Sequence, residues 1–302
     1  MVAAECFPLV KTGGLADVVG ALPAALAASG CETRVQLPAY PTVTAGMSAT
    51  QTVATFGAMF GGPAWLVWGK TQGALEVVAL EAAHLFDRPG NPYVGPDGDA
   101  WPDNHRRFAA LAAAATHYAA DPGDGWTAGL VHCHDWQAGL TPVYLRRYRG
   151  TPPPVVFTIH KIAFQRCFPA AAASELGLPP KLYTPARFRV LGPSVVPQGG
   201  LVFSDRLATV SPTYATELRT PRFGMGMEGV LTERAADLVG ILNGIDDAAW
   251  NPAADRLIAA RYSARELAGK AKDRAAVQAG MGLQPDPAAL LACVISRLKS
   301  AS

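Results

Sequence analysis

Cysteine, charge and long apolar runs are all scarce in this sequence, and each scarcity removes a class of protein. The five cysteines, Cys6, Cys31, Cys133, Cys167 and Cys293, are an odd number with no CxxC pair. That argues against a disulfide framework or a structural zinc site and fits a reducing cytoplasm. Charged residues make up 17% of the 302, and 26 Lys+Arg against 24 Asp+Glu leave a net charge of +2. No block of five like charges occurs, so neither nucleic acid nor an anionic membrane is expected as a partner. No run of about 18 apolar residues is present, and Met1-Val2-Ala3-Ala4-Glu5 lacks a basic region followed by an apolar stretch. Neither a spanning helix nor an export signal is therefore expected. The dinucleotide fingerprint GxGxxG is read as absent, which weakens an NAD or FAD reading. No GxSxG elbow surrounds Ser211, and Pro212 follows it directly, so a serine hydrolase built on Ser211, His160 and Asp135 is set aside.

What is present is a hydrophobic half of the chain, 50% of its residues, enough for one large domain or two ordinary ones. Short β-branched or apolar runs alternate with longer helical patterns, which is the signature of βαβ units and a largely parallel sheet, an α/β fold. The first helix is expected after Gly13-Gly14, because Leu15, Val18, Val19, Leu22 and Leu26 recur at helical spacing and Gly30 closes the pattern. Strands are expected at 33–37, 65–68, 75–80, 130–134, 154–159, 207–210 and 238–242, and helices at 103–120, 136–148 and 255–280. The turn-rich run from Asp87 to Tyr93 reads as a loop. Residues 290–295 read as a last buried strand. Ligands gather outside the carboxyl ends of parallel strands, so Asp135, His160, Ser211 and Asn243 are expected to converge on one crevice.

Three segments carry candidate chemistry. Lys11-Thr12-Gly13-Gly14 places two glycines at a helix start with a lysine upstream. Free helix N–H groups, a close backbone approach and a point charge suit a phosphate or diphosphate, although glycine pairs there are commonly tight turns alone. The lysine precedes the glycines, so this is not a Walker A loop. His132-Cys133-His134-Asp135-Trp136 contains metal-capable side chains, but alternation sends His132 and His134 to one face and Cys133 to the other. A buried strand with polar residues at its end accounts for them better than a metal site. His160, after an apolar strand, suits a hydrogen bond to a sugar hydroxyl or acid-base work, with a structural histidine as the ordinary alternative.

Taken together, Lys11-Thr12-Gly13-Gly14-Leu15-Ala16-Asp17-Val18, His134-Asp135-Trp136-Gln137-Ala138-Gly139-Leu140, Val210-Ser211-Pro212-Thr213-Tyr214-Ala215 and Ile241-Leu242-Asn243-Gly244-Ile245-Asp246 resemble the bacterial glycogen synthase and starch synthase family. The resemblance extends to Asp87-Arg88-Pro89-Gly90, Asp103-Asn104 with Arg107-Phe108, and Gly226-Met227-Glu228-Gly229. It implies a retaining transfer of glucose from ADP-glucose to the non-reducing 4-hydroxyl of an α-1,4-glucan such as glycogen. It also implies two Rossmann-like domains in the GT-B arrangement, of which this chain holds the amino-terminal half. By the same resemblance, residues 1–245 are the amino-terminal catalytic domain, 246–287 the interdomain connector and 288–302 the first strand of the carboxyl-terminal donor domain. Lys11, Gly13, Gly14, Asn243 and Arg297 match donor-binding positions. His160 and Asp135 match catalytic ones, and Asp17 and Tyr93 line the sugar cleft. No metal or cofactor is implied, because cationic side chains can stabilise the departing diphosphate.

The chain departs from the family pattern in places. His160-Lys161 stands where His-Asn is usual, and Phe164-Gln165-Arg166 where Tyr-Gln-Gly is common. Gln198, after Pro197, replaces a customary lysine, and Ala301 and Ser302 take the glutamine and lysine positions after Ser296-Arg297-Leu298. The departures at 161, 164–166 and 197–198 bear on glucan binding more than on donor contact, and with half of the implied donor site outside these 302 residues the chain alone is expected not to complete the transfer. Two other readings stand beside this one: a non-catalytic remnant with at most glucan binding, and a transferase of the same architecture using UDP-glucose.

Overall fold

A computed structural model describes residues 1–163, 172–178, 195–247, 250–286 and 288–295. The chain falls into two units, Met1–Asn243 and Gly244–Ser302. In the first, eight strands among the described residues form two four-stranded sets: β1 (Val35–Pro38), β2 (Met47–Met59), β3 (Gly62–Thr71) and β4 (Glu76–Glu81) in the order β1-β4-β3-β2, then β5 (Val131–His134), β6 (Val155–Ile159), β7 (Arg206–Thr209) and β8 (Leu238–Gly240) in sequence order. Val2 makes parallel bridges to both Gln36 and Cys133, so a strand stub at the amino terminus joins the two sets. Four backbone hydrogen bonds make the seam: Val2 N–H to His132 O, His134 N–H to Val2 O, Ala3 N–H to Gln36 O, and Gln36 N–H to Met1 O, at 2.7–3.1 Å.

The stub, β1 and β4 run parallel, as do β5 to β8. The antiparallel β4-β3-β2 edge departs from the expected parallel sheet. Its cause is local, since β2 and β3 are joined by the turn Phe60-Gly61, both at positive φ, and a two-residue hairpin can join only antiparallel strands. β2 falls in a stretch for which no strand is expected, because its small and polar residues, mostly exposed on a sheet edge, carry little alternation.

Helix α1 (Gly14–Ala27) starts on the glycine pair and buries Leu15, Ala16, Val19 and Pro23. A Cβ on Gly20 would collide with the carbonyl oxygen of Phe7, so the helix lies directly on the segment after the stub. Helix α2 (Asn104–Ala120) buries a run of alanines together with Arg107, Phe108 and Leu111. The helix expected over 136–148 is instead a 3-10 turn at Trp136–Ala138 followed by helix α3 (Thr141–Leu145). Pro142 has no N–H to give the Ala138 carbonyl, so the helix restarts with proline in its first turn.

In the second unit, the helix expected from 255 is confined to Ala268–Gly280. The Leu257 N–H donates to the Asp255 carboxylate and the Ala260 N–H to that of Asp273, holding the preceding residues in turns. Residues 290–295 are not a strand: Leu290, Val294 and Ile295 are 93%, 89% and 96% exposed, and no partner strand pairs with them among the described residues. GxGxxG does occur, at Gly224, Gly226 and Gly229, contrary to expectation. It joins the short helices Pro221–Gly224 and Glu228–Glu233 rather than a strand and a helix, so it lacks the context of a dinucleotide loop. Phe164-Gln165-Arg166, Arg297 with its neighbours, Ala301 and Ser302 lie outside the described residues, as do the side chains of Pro197 and Gln198. Among the described residues no helix is long and apolar enough to cross a membrane.

Candidate active site

Because the stub, β5, β6, β7 and β8 run in one direction, their carboxyl ends share one edge of the sheet. The chain delivers to that edge, in order, Glu5 with the loop 11–14, Asp135, His160-Lys161, Ser211 and Asn243. This is the edge where open α/β sheets bind ligands.

The glycine loop is organised by Glu5, a residue the sequence reading passes over. Its side chain is buried, 2% exposed. One carboxylate oxygen accepts the Thr12 and Gly13 N–H groups, the latter at 3.2 Å. The other accepts the Thr12 hydroxyl at 2.7 Å and the Tyr93 hydroxyl. A buried carboxylate is tolerated when several donors satisfy it, and here four do. Gly14 and Leu15 keep N–H groups with no partner among the described residues, at the positive end of α1. A Cβ on Gly13 or Gly14 would meet nothing within 4 Å, so the space before the helix is open. Lys11 pairs with Asp17 at 2.7 Å, both side chains about half exposed. The resemblance assigns these two to different substrates, and the fold makes them partners.

Tyr93 reaches Glu5 because its loop is pinned. Asn104 donates to the Tyr93 carbonyl at 3.0 Å, and Asn91 accepts the Tyr93 N–H at 2.8 Å. Arg107, 1% exposed, donates to the carbonyls of Leu85 and Pro92, each at 2.8 Å, and to Asn104 at 2.7 Å. Arg88 grips Asp103 with two bonds of 2.8 and 2.6 Å. The Asp103-Asn104 and Arg107-Phe108 motif is thus the clamp on the Tyr93 loop. Burial raises the Tyr93 hydroxyl well above its ordinary range, so it stays a donor.

Asp135 ends β5 with φ +53° and ψ −174°, a region that side-chain-bearing residues occupy at a cost of ~1–3 kcal/mol. The turn carries its carboxylate under the end of β6, where Oδ1 accepts His160 N–H at 2.7 Å and Lys161 N–H at 3.4 Å. Burial, opposed by these bonds and reinforced by the charge of Glu5, pushes its pKa up to about 7. The rings of His132 and His134 lie 4.1 Å apart on one face. Nδ1 of His134 and Nε2 of His160 share a hydrogen bond of 3.0 Å. Burial lowers all three imidazoles, His132 to about 3 and His160 to about 4, so the cluster is neutral. Among the described residues no group of three His, Cys, Asp or Glu is arranged to hold a metal.

Ser211 sits at the edge as a helix cap. Its hydroxyl accepts Tyr214 N–H at 2.9 Å, and the Tyr214 hydroxyl accepts Ile162 N–H at 3.2 Å, so this motif steadies the segment after His160. Asn243 is exposed and makes no hydrogen bond among the described residues. The geometry therefore ties Glu5, Thr12, Gly13 and Tyr93 into one network and Asp135, His160 and His134 into another. Lys11 and Asp17 stand beside the loop, and Asn243 stands by itself at its strand end.

The starch synthase catalytic domain model matches residues 1–233. The chain is 49% identical over 298 residues to the glycogen synthase of Rhodopseudomonas palustris (strain BisB18), covering 98% of this chain and 60% of that protein. It is 50% identical over 297 residues to the glycogen synthase of Paracoccus denitrificans (strain Pd 1222), with 98% and 61% covered. Among solved structures, the catalytic domain of starch synthase IV from Arabidopsis thaliana, bound to ADP and acarbose, matches with a TM-score of 0.75 and 30% identity, over 93% of this chain and 58% of that one. The chain thus spans about 60% of the length of these relatives. The α/β class and the Rossmann-like sheet of a GT-B amino-terminal half agree with that structural likeness. With the match running from the stub through the short helices after β7, the chain belongs to the starch synthase catalytic domain family.

Proposed function

We propose that this chain forms the amino-terminal part of a glycogen synthase that transfers glucose from ADP-glucose, with retention, to the non-reducing end of an α-1,4-glucan. The observation that carries the reading is the anchored glycine loop on the same sheet edge as the Asp135–His160 pair, in a chain about half identical to glycogen synthases. Departure of ADP builds negative charge on the diphosphate. In this reading Lys11 and the N–H groups of Gly14 and Leu15, which have no partner among the described residues, stabilise it. Moving Lys11 from Asp17 to a phosphate costs little, since an exposed pair is worth about 0–1 kcal/mol. The anomeric carbon becomes oxocarbenium-like as ADP leaves, and the neutral His160 ring, the Asp135 carboxyl and the Tyr93 hydroxyl orient the sugar. Asn243 and Arg297 complete the donor side, and Asp17 the acceptor side.

No nucleic acid or membrane partner enters this reading. Cys6, Cys31, Cys133 and Cys293 are free thiols, which supports a cytoplasmic site of action. Residues 1–245 then form the catalytic amino-terminal domain, 246–287 the connector and 288–302 the entry to the donor domain. The test is incorporation of labelled glucose into glycogen by the polypeptide extended to the length of its relatives, with ADP-glucose and UDP-glucose in parallel. Transfer from ADP-glucose supports the reading, and transfer from UDP-glucose alone corrects the donor. Glycogen co-sedimentation without transfer from either donor would replace it with a glucan-binding role.

A further inference from the structure

The hydrogen bond between His134 and His160 can be drawn in two ways, and the surroundings of His134 decide between them. A neutral imidazole carries one N–H and one bare acceptor nitrogen. If His160 donates, its proton sits on Nε2, the Nδ1 of His134 accepts, and the Nε2 of His134 must carry an N–H. That Nε2 is buried with no hydrogen-bond partner, and the His134 residue is 0% exposed. If His134 donates from Nδ1, its Nε2 keeps only a lone pair. An orphaned buried N–H is rarer in folded proteins than an under-satisfied acceptor, so the second arrangement is favoured. A doubly protonated ring at His134 is opposed by its burial and by His132 and His160 on either side.

We infer that His134 is the positioning residue for His160: it donates Nδ1–H to the Nε2 of His160 and holds that ring in the Nδ1–H tautomer. The scaffold suits the task. His134 is the last residue of β5, bonded through its N–H to Val2 O at 3.0 Å and paired in register with Thr158 of β6. Its ring lies against that of His132, whose Nε2 is fixed to the Thr158 hydroxyl at 2.6 Å. Asp135, one residue on, holds the His160 backbone from the other side. The imidazole is therefore fixed at both its main chain and its ring.

The consequence deepens the reading of His160 as a cleft residue and rests on it. The nitrogen left for a ligand is Nδ1, which has no partner among the described residues, and in this tautomer it is a donor. His160 then gives a hydrogen bond to a sugar oxygen and does not withdraw a proton. A free imidazole prefers the opposite Nε2–H form, so the assignment departs from the default and is measurable.

Nitrogen-15 NMR of the full chain labelled at histidine reads the tautomer directly. The expected result is a His160 ring with a protonated, pyrrole-type Nδ1 and a bare, pyridine-type Nε2. In His134→Phe, which keeps the ring volume and removes the donor, the two types exchange places. In His134→Asn, whose amide can donate from a similar position, the wild-type pattern returns. A protonated Nε2 on His160 in the wild-type chain overturns the proposal, whether or not either variant folds. So does an unchanged pattern in a folded His134→Phe. The measurement needs no substrate, so its failure is separate from any failure of the glucosyltransferase reading.

Discussion

Replacing Asp135 by Asn removes one titration from the site while keeping an oxygen to accept the His160 N–H. In the folded chain the Asp135 carboxyl is raised from 3.8 to about 7, chiefly by burial. The unfolded chain releases this proton near pH 4, so between those values the folded state holds the extra proton and stability falls as pH rises. From pH 5 to pH 7 the loss has a ceiling of ~2.7 kcal/mol, at about 1.36 kcal/mol for each step of one in pH. Asp135 is half-buried rather than sealed, so solvent screening reduces the expected effect to ~1 kcal/mol. His132, His134 and His160 act in the opposite sense. Their folded pKa values are depressed, so they add stability above the unfolded value near 6.5, and that stability is lost as pH falls toward 4. They are present in both proteins and cancel in the difference. Urea unfolding followed by tryptophan fluorescence at pH 5 and pH 8 should show the variant gaining ~1 kcal/mol on the wild type at the higher pH. A variant-minus-wild-type difference that is the same at both pH values, or larger at pH 5, would refute the assignment.

Three further outcomes follow from contacts described above. Glu5→Ala leaves the Thr12 N–H and the Thr12 and Tyr93 hydroxyls without their acceptor and should destabilise the chain by ~2–4 kcal/mol in chemical denaturation. Near-wild-type stability would show that the network is dispensable. Gly20→Ala, whose Cβ meets the Phe7 carbonyl, should cost ~1–3 kcal/mol in the same assay. Gly14→Ala, which meets nothing, should stay within ~0.5 kcal/mol while, on the proposed donor role of this loop, weakening ADP binding. Equal stability losses for the two glycines would contradict the described path of α1. Arg107→Met removes the donors to Leu85 and Pro92 and leaves the apolar stem; it should cost ~3 kcal/mol and make residues 87–101 the first site of limited proteolysis. Cleavage elsewhere first would show that Arg107 is not the clamp on this loop.

The strands at the heart of the fold are readable from sequence because burial on both faces leaves an unbroken apolar run. β6 emerges within a residue of 154–159 for that reason, and β5 within a residue of 130–134, although His132 and His134 interrupt its apolar residues. β2 is not readable, since an exposed edge strand has no buried partner face to impose alternation on its small polar residues. The break in the helix after Trp136 was available in Pro142, whose missing N–H outweighs the apolar periodicity around it. Residues 290–295 show the limit of the same logic, because an apolar run becomes a strand only when another strand lies beside it. In the site, Asp135 and His160 are legible as polar residues closing apolar strands. Glu5 is not, because its meaning depends on Tyr93, 88 residues away in sequence, and no local pattern records that pairing. Ser211, set aside as a nucleophile because Pro212 follows it, is a helix cap.

The seam between the two halves of the sheet has a consequence for how the molecule assembles. Its bonds come from the first three residues, yet their partners lie in β1 and, far later in the chain, in β5. Non-local pairings of this kind are slow to close, so residues 1–3 have no place in the sheet until both β1 and β5 have formed. Until then Glu5 has no loop to hold, and the two half-sheets present unpaired edges to each other and to other chains. Pulsed hydrogen exchange during refolding would register this as late protection of Val2, Ala3 and Gln36 relative to the interior of β6.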